Sequence, residues 1–327
     1  MANDNEAIVK TDWFKTIRKS STFNILLILI VMIIAMLIIS PPFRSVSNIL
    51  SVIRLFVPIA VAGIGVCMVI ITAGIDLSLG SVYGLAGVIS SLAMTSLGVP
   101  VILAIILGIL SGTGIGFANS LLVEKIGLPP FIATLATMSI ARGICYIVTQ
   151  GYPISGLSPG YLFLGQGSIA GIPTQIWFMV GIAVIFSIFL NKTVTGRRIY
   201  ALGGNEEATR ISGINTGRIK ILVYTLCGTL AGFAGIITAS KLGIGQPTSG
   251  LGFELDAIAA VCIGGASLMG GAGTVMGTII GASIMGILRN ALVLLSVDAY
   301  WQQFIIGFVI LFAVAADQIS KKRGIKL

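Results

Sequence analysis

The sequence predicts an all-α integral membrane protein, and three observations carry that prediction. Fifty-six per cent of the chain is hydrophobic, only 9% is charged where a soluble domain carries about 25%, and the apolar residues gather into long runs. Ten runs come near the roughly 20 residues that a helix needs to cross the hydrocarbon core with its backbone bonds satisfied internally. They cover 23–41, 56–73, 81–97, 100–119, 130–149, 175–191, 219–240, 254–270, 273–294 and 300–317. Together they are expected to form one transmembrane domain over 23–317, between a polar N-terminal segment, 1–22, and a C-terminal tail, 318–327.

The first run follows Lys10, Lys15, Arg18 and Lys19 and has no clear small-residue cleavage site, so it reads as a retained anchor and not a signal peptide. The second and third are separated by a Gly-rich break, Thr72-Ala-Gly-Ile-Asp-Leu-Ser-Leu-Gly-Ser81. The fourth carries Gly108, Gly112 and Gly116, the seventh Gly228 and Gly232, and the ninth Gly273, Gly277 and Gly281. Glycines at four-residue spacing lie on one helix face and let neighbouring backbones approach closely in lipid, so these are expected to be packing surfaces. The eighth and ninth runs are joined by a second Gly-rich break, Gly264-Gly-Ala-Ser-Leu-Met-Gly-Gly-Ala-Gly273. The two breaks look alike: each is either a tight cytoplasmic turn or half of an internal repeat whose freed backbone groups line a polar path. Tyr300 and Trp301 anchor the tenth run at an interface.

Between the fifth and sixth runs, 149–175 is rich in Gly, Pro and Ser and has no charged residue. It is either a surface for another protein or a passive connector, and 243–252 falls on the same side. With the N-terminus in the cytoplasm, fifteen of the twenty Lys and Arg residues lie inside. Arg44, Arg54 and Lys241 lie outside, and Arg142 and Arg289 fall within spans. That asymmetry obeys the positive-inside rule and puts both termini in the cytoplasm. The net charge of +9 is thereby accounted for by topology, with no motif that would recognise nucleic acid.

Asp76, Arg142, Glu254, Asp256 and Arg289 are the ionisable residues in or at the edge of the spans. Each costs about 2.5–3.5 kcal/mol at a helix centre on insertion scales, so they must face protein or water. The readings are structural ion pairs or, more sharply, a proton relay; Asp76 is also placed to cap the helix opening near Ser81 or to accept backbone N–H groups across its break. Cys67, Cys145, Cys227 and Cys262 sit in apolar runs as small hydrophobes. The chain has no His and no GxxxxGK[ST], so neither metal catalysis nor ATP hydrolysis has visible residues here. No cofactor is expected on it.

The most distinctive polar insert is 196–213, GRRIYALGGNEEATRISG, inside a loop spanning 192–218. Gly203 and Gly204 are expected to turn the chain before a short helix. Asn205 would be its N-cap, with Glu206 and Glu207 favourable in its first turn. Glu207, Ala208, Thr209 and Gly213 fit the spacing Glu-Ala-small-x-x-x-Gly, which resembles the cytoplasmic coupling loop of permease subunits in ATP-binding-cassette importers.

Four segments extend that likeness: ITAGIDLSLGSVYGLAG at 71–87, PPFIATLATMSIARG at 129–143, GRRIYALGGNEEATRISGIN at 196–215 and QPTSGLGFELDAIAAVCIGGASLMGG at 246–271. Together they resemble the permeases of ribose-type sugar importers, from about residue 25 to 320. The resemblance implies a permease of the bacterial inner membrane that works as a homodimer or close heterodimer. It also implies a cytoplasmic ATPase with two nucleotide-binding halves, on which ATP and Mg reside, and an extracytoplasmic sugar-binding protein. Arg197, Arg198, Gly203, Gly204, Asn205, Glu206, Glu207, Thr209, Arg210 and Gly213 would then couple the permease to the ATPase. Ala272 stands where relatives often carry a basic residue. The alternative from another class is an ion-coupled secondary transporter acting through Asp76, Glu254 and Asp256.

Overall fold

The computed structural model describes residues 21–322, so Lys10, Lys15, Arg18, Lys19, Arg323 and Lys326 lie outside the described residues. The described chain is almost wholly helical: α1 (Ser21–Ile39), a 3-10 turn (Pro41–Arg44), α2 (Val46–Ile71), α3 (Leu79–Thr95), α4 (Val101–Glu124), α5 (Pro130–Thr149), α6 (Pro159–Gln166), α7 (Thr174–Lys192), α8 (Val194–Gly204), α9 (Glu206–Ile211), α10 (Thr216–Leu242), α11 (Phe253–Ile263), α12 (Val275–Leu294) and α13 (Ala299–Lys322). A two-residue hairpin, β1 (Ser168–Ile169) and β2 (Ile172–Pro173), leads into α7. Among the described residues, α2, α4, α5, α7, α10 and α12 are long and apolar enough to cross a membrane.

Burial sorts these helices into two layers. α2, α10 and α12 are mostly buried and, with α3 and α11, form the centre; less than a third of α4, α5 and α7 is buried. α2 is the axis, with every residue from Val57 to Ile71 buried. Apolar side chains on all sides of a helix dictate that position, because a helix hydrophobic all round is satisfied only inside a bundle or in lipid. Side chains cap the helices where they leave the layer: Ser45 accepts from Asn48 N at α2, Asn215 from Arg218 N at α10, and Thr274 from Gly277 N at α12.

The glycine faces expected from the sequence are contacts between backbones. A Cβ on Gly112 would lie 2.5 Å from Gly228 O and 3.1 Å from Gly232 Cα, and one on Gly116 would press on Tyr224 O and sit 3.1 Å from Gly228 Cα. Gly108 is closed off by Ala86 O at 2.7 Å. The contacts of Gly112 and Gly116 weld α4 to α10, and that of Gly108 closes α4 on α3. In the same way Gly277 abuts Gly264 O and Gly281 abuts Ala260 O, closing α11 on α12. Gly273 corrects the expectation of a ninth run opening there. It lies before α12 at φ 158 as part of the break, where a Cβ would sit 3.1 Å from Cys67 Sγ.

The eighth expected span, 254–270, is not one helix. α11 has 11 residues, about 16 Å at 1.5 Å per residue, too short for a crossing. Residues 243–252, before it, run beside α3: Gly245 lies against Ser91, Ser249 O against Gly84, and Gly250 against Gly80. The cause is local composition, since Gly243, Gly250 and Gly252 all adopt left-handed φ angles and Pro247 removes a helical donor. The second span also differs, starting at Val46 and not 56, so Arg54 lies within α2.

The charge-free loop 149–175 is neither extended nor loose. α6 packs its buried Tyr161 against α10, with Ser240 Oγ donating to Tyr161 O at 2.6 Å and Gly165 N donating to Ser240 Oγ at 2.6 Å. It does meet 243–252, as expected, through the paired bonds of Ile154 and Gly245.

The glycine contacts give a sharp comparison on one helix. Gly112→Leu drives a side chain into α10 and is expected to destabilise the fold by at least about 2 kcal/mol. At Gly114 a Cβ would meet nothing within 4 Å, so Gly114→Leu should be tolerated. Yield and thermal stability in detergent check the pair; equal behaviour of both variants would show that the α4–α10 contact is not limiting.

Candidate coupling surface and intramembrane polar site

α8 and α9 fold as one cap over an end of the bundle. α8 is amphipathic: Gly196, Ile199 and Leu202 are buried, and Arg197 and Arg198 are exposed. Thr193 caps it by accepting from Gly196 N at 3.0 Å. Asn205 then caps α9, its Oδ1 accepting from Ala208 N at 2.9 Å, with Glu206 and Glu207 in the first turn. That is the arrangement expected from the sequence, and it satisfies orphan N–H groups while placing carboxylates at the positive end of the helix.

Gly203 and Gly204 are the exception, since they do not turn the chain. They form the last turn of α8, and a Cβ on Gly203 would overlap Ile71 O and sit 2.6 Å from Gly271 N. Gly203 is therefore a point of close approach. The turn is made at Asn205, φ −163, and later at Gly213, φ 79, after α9.

Within α9, Arg210 Nη2 donates to both oxygens of Glu207 at 2.9 and 2.8 Å. Glu207 thereby raises the Arg210 pKa above its ordinary value. Glu206 takes a different partner: Lys220 Nζ of α10 lies 2.5 Å from Glu206 Oε1 and 3.8 Å from Glu124 of α4. Thr209 is buried and donates to Asn205 O at 2.7 Å. Between the cap and α10 is a groove of about 370 Å³ whose lining includes Thr195, Arg198, Gly213, Asn215, Arg218 and Leu222.

Under the cap the two Gly-rich breaks meet. Gly271 N donates to Ile71 O at 2.9 Å, Gly270 packs on Ala73, and Tyr200 OH of α8 donates to Gly273 O at 2.7 Å. Neither break is a simple tight turn. The first is a seven-residue excursion, 72–78, re-entering the bundle before α3 starts at Leu79. Both contain the same device, a side chain accepting the N–H two residues ahead: Asp76 Oδ1 from Ser78 N at 2.9 Å, and Ser267 Oγ from Met269 N at 3.2 Å. Asp76 also accepts from Ser78 Oγ at 2.6 Å, Asn119 Nδ2 donates to Ser78 Oγ at 2.8 Å, and Thr137 Oγ1 to Asn119 Oδ1 at 2.5 Å. The chain of bonds ties the break to α4 and α5.

The N-termini of α3 and α11 come together higher in the bundle. Gly80 lies against Glu254 and Gly250, and the rings of Tyr83 and Phe253 stack with centroids 4.3 Å apart. Arg142 reaches this level from α5, twelve residues and about 18 Å above Pro130. Its Nη1 donates to Pro247 O at 2.5 Å and Ser249 O at 2.8 Å, and its Nη2 to Gly80 O at 3.2 Å. The expected ion pairing holds for Asp256, whose carboxylate takes Arg289 Nη2 at 2.7 and 2.6 Å. It does not hold for Arg142, which bonds carbonyls, or for Asp76, which bonds a hydroxyl and an amide. Sequence reasoning missed Tyr200, Asn119 and Thr137; the signal for the last two was a polar side chain inside an apolar run.

Comparison with known proteins decides the family. The family model described as the permease component of the branched-chain amino acid transport system matches residues 48–314. The chain is 46% identical over 297 residues to the ribose import permease protein of Haemophilus influenzae, covering 90% of this chain and 91% of that one. This chain belongs to that permease family. It is also 44% identical over 292 residues to the ribose import permease protein of Bacillus subtilis, covering 89% and 90% of the two chains. With the D-allose transport system permease protein of Escherichia coli it shares 35% identity over 307 residues, 93% of each chain. No solved structure matches. The permease is thus a multi-pass protein of the bacterial inner membrane and a component of an ATP-binding-cassette importer of the ribose type. Membership of that family sets aside the ion-coupled carrier.

The partly buried Asp256–Arg289 pair of this permease sets a stability test. Arg289→Met leaves Asp256 charged and unpaired, and is expected to cost about 2–3 kcal/mol, while Asp256→Leu added to it should recover most of the loss. Thermal unfolding of the three purified proteins measures this, and a double variant no better than the single one would contradict it.

Proposed function

We propose that this permease is the membrane path of a ribose importer. In that reading two copies form the path, a cytoplasmic ATPase with two nucleotide-binding halves hydrolyses Mg-ATP, and an extracytoplasmic protein delivers the sugar. The names of the relatives at 42–46% identity, all ribose import permeases, support the substrate. The α8–α9 cap lies in the cytoplasm, as do both termini, and nine helices plus the composite of 243–252 and α11 make the ten crossings. The clustering of Arg54 and Lys241 at the other end, with Lys241 Nζ donating to Arg54 O at 3.1 Å, fits that orientation.

The observation that carries the mechanism is the position of α8. Its Gly203 touches the ends of both breaks at Ile71 and Gly271, so displacement of the cap by the ATPase acts directly on the backbone joints of α2–α3 and α11–α12. The exposed Arg197, Arg198, Glu207 and Arg210, and the groove beside Arg198 and Arg218, are the surface offered to the ATPase. Closure of the ATPase halves on ATP then biases the bundle between outward and inward states.

Purified permease, ATPase and binding protein reconstituted in vesicles test this reading. Ribose uptake should require all three proteins and ATP. Gly203→Ala and Gly213→Arg should each lower uptake and binding-protein-stimulated ATP hydrolysis together by about tenfold or more, with membrane insertion unchanged. Full coupling in both variants would remove the cap from the mechanism.

A further inference from the structure

In the topology proposed above α11 and α12 lie within the bilayer, and together they present charge at the surface of the chain. The Arg289 side chain is 36% exposed and its partner Asp256 9% exposed. Glu254 is half-buried and, among the described residues, forms no ion pair. Between them Leu255 is 48% exposed, and Leu251 above it is 64% exposed. At about 100° per residue, Glu254 and Asp256 flank Leu255 on the helix, so this face has a carboxylate on one side and an ion pair on the other. Hydrocarbon solvates neither, and intramembrane charges face a protein interior or water. The backbone gives a second, independent reason. Residues 243–252 are non-helical, with Leu251 exposed, and at the membrane depth that the proposed topology gives them irregular backbone is tolerated only against protein or a water-filled cavity.

We propose that this face borders the water-filled route through the assembled transporter and that Glu254 binds the sugar within it. The inference rests on the importer reading above and adds the substrate contact to it. An ionised carboxylate is an acceptor with about four lone-pair sites, and among the described residues no Lys or Arg lies within ion-pair distance of Glu254, so sites remain beside its backbone partners. Adjacent hydroxyls of a monosaccharide can donate to it as the sugar passes. Arg142 spends both of its terminal nitrogens on the carbonyls of Gly80, Pro247 and Ser249. Asp256 is committed to Arg289. A single anionic group without a second clamp suits a neutral polyol that must also leave.

The test uses the reconstituted three-protein transporter with ribose. A wild-type complex that imports no ribose would defeat the importer reading and is examined first. In a transporting system, Glu254→Ala should lower the sugar imported per ATP hydrolysed about tenfold, through loss of a charged hydrogen bond, while binding-protein-stimulated ATP hydrolysis stays near wild type. A merely structural role would lower both together, and that result, or an unchanged ratio, overturns the proposal. Should Glu254→Ala fail to assemble, Leu255→Cys decides. The native cysteines are all buried, and a thiol reacts as thiolate only where water reaches it. Reaction with a charged, membrane-impermeant thiol reagent, slowed several-fold by saturating ribose, supports the site. Absence of reaction, or reaction that ribose leaves unchanged, overturns it.

Discussion

Backbone amides and carbonyls that leave a helix inside a bilayer find no water, so protein must bond them. Arg142 does this for the most exacting part of the fold. From the middle of α5 its guanidinium takes the carbonyls of Pro247, Ser249 and Gly80, holding a non-helical strand of chain against the start of a helix. Without that clamp, the carbonyls of Pro247 and Ser249 would lose this donor. α11 then has no fixed starting point. The stacked rings of Tyr83 and Phe253 complete the joint with apolar surface.

The two breaks follow from the same constraint, solved with different residues. In the first, the Asp76–Ser78–Asn119–Thr137 chain of bonds supplies partners from two outer helices. In the second, glycine removes side chains so that backbone meets backbone, as at Gly264 with Gly277 and Gly271 with Ile71. Both solutions converge under α8, whose Gly203 admits the third backbone. A membrane domain with so little charge thus concentrates its polar structure along one line, from the cap, through the paired breaks, to the helix N-termini at Gly80 and Glu254. An element that is rigid within itself and jointed at glycine is suited to a two-state rearrangement, because packed interfaces switch between discrete arrangements and do not deform continuously.

The cap differs in kind from the layer beneath it. Its exposed face carries Arg197, Arg198, Glu207 and Arg210, and its buried face carries Ile199, Leu202 and Thr209. The Glu207–Arg210 pair is solvent-exposed on both sides, so it contributes little to folding and is free to be remade with a partner. The Lys220–Glu206 pair is more sheltered and fastens α9 to the long α10, which carries movement of the cap into the core.

The sequence alone determined that this is a helical membrane protein, because hydropathy is a local property that a bilayer reads directly. It also determined α9 with its Asn205 cap, since capping is decided within a few residues, and the glycine faces of α4 and α10, since four-residue spacing on a helix defines a surface. Tertiary structure alone decided that 254–270 is a short helix continued by irregular chain, because mean hydropathy is blind to left-handed glycines and to a guanidinium arriving from α5. It decided that Gly203 is a contact and not a turn, and that Arg142 serves carbonyls while Asp256 takes Arg289. Each of those outcomes depends on which distant backbone lies alongside, and no spacing within the chain encodes that neighbour.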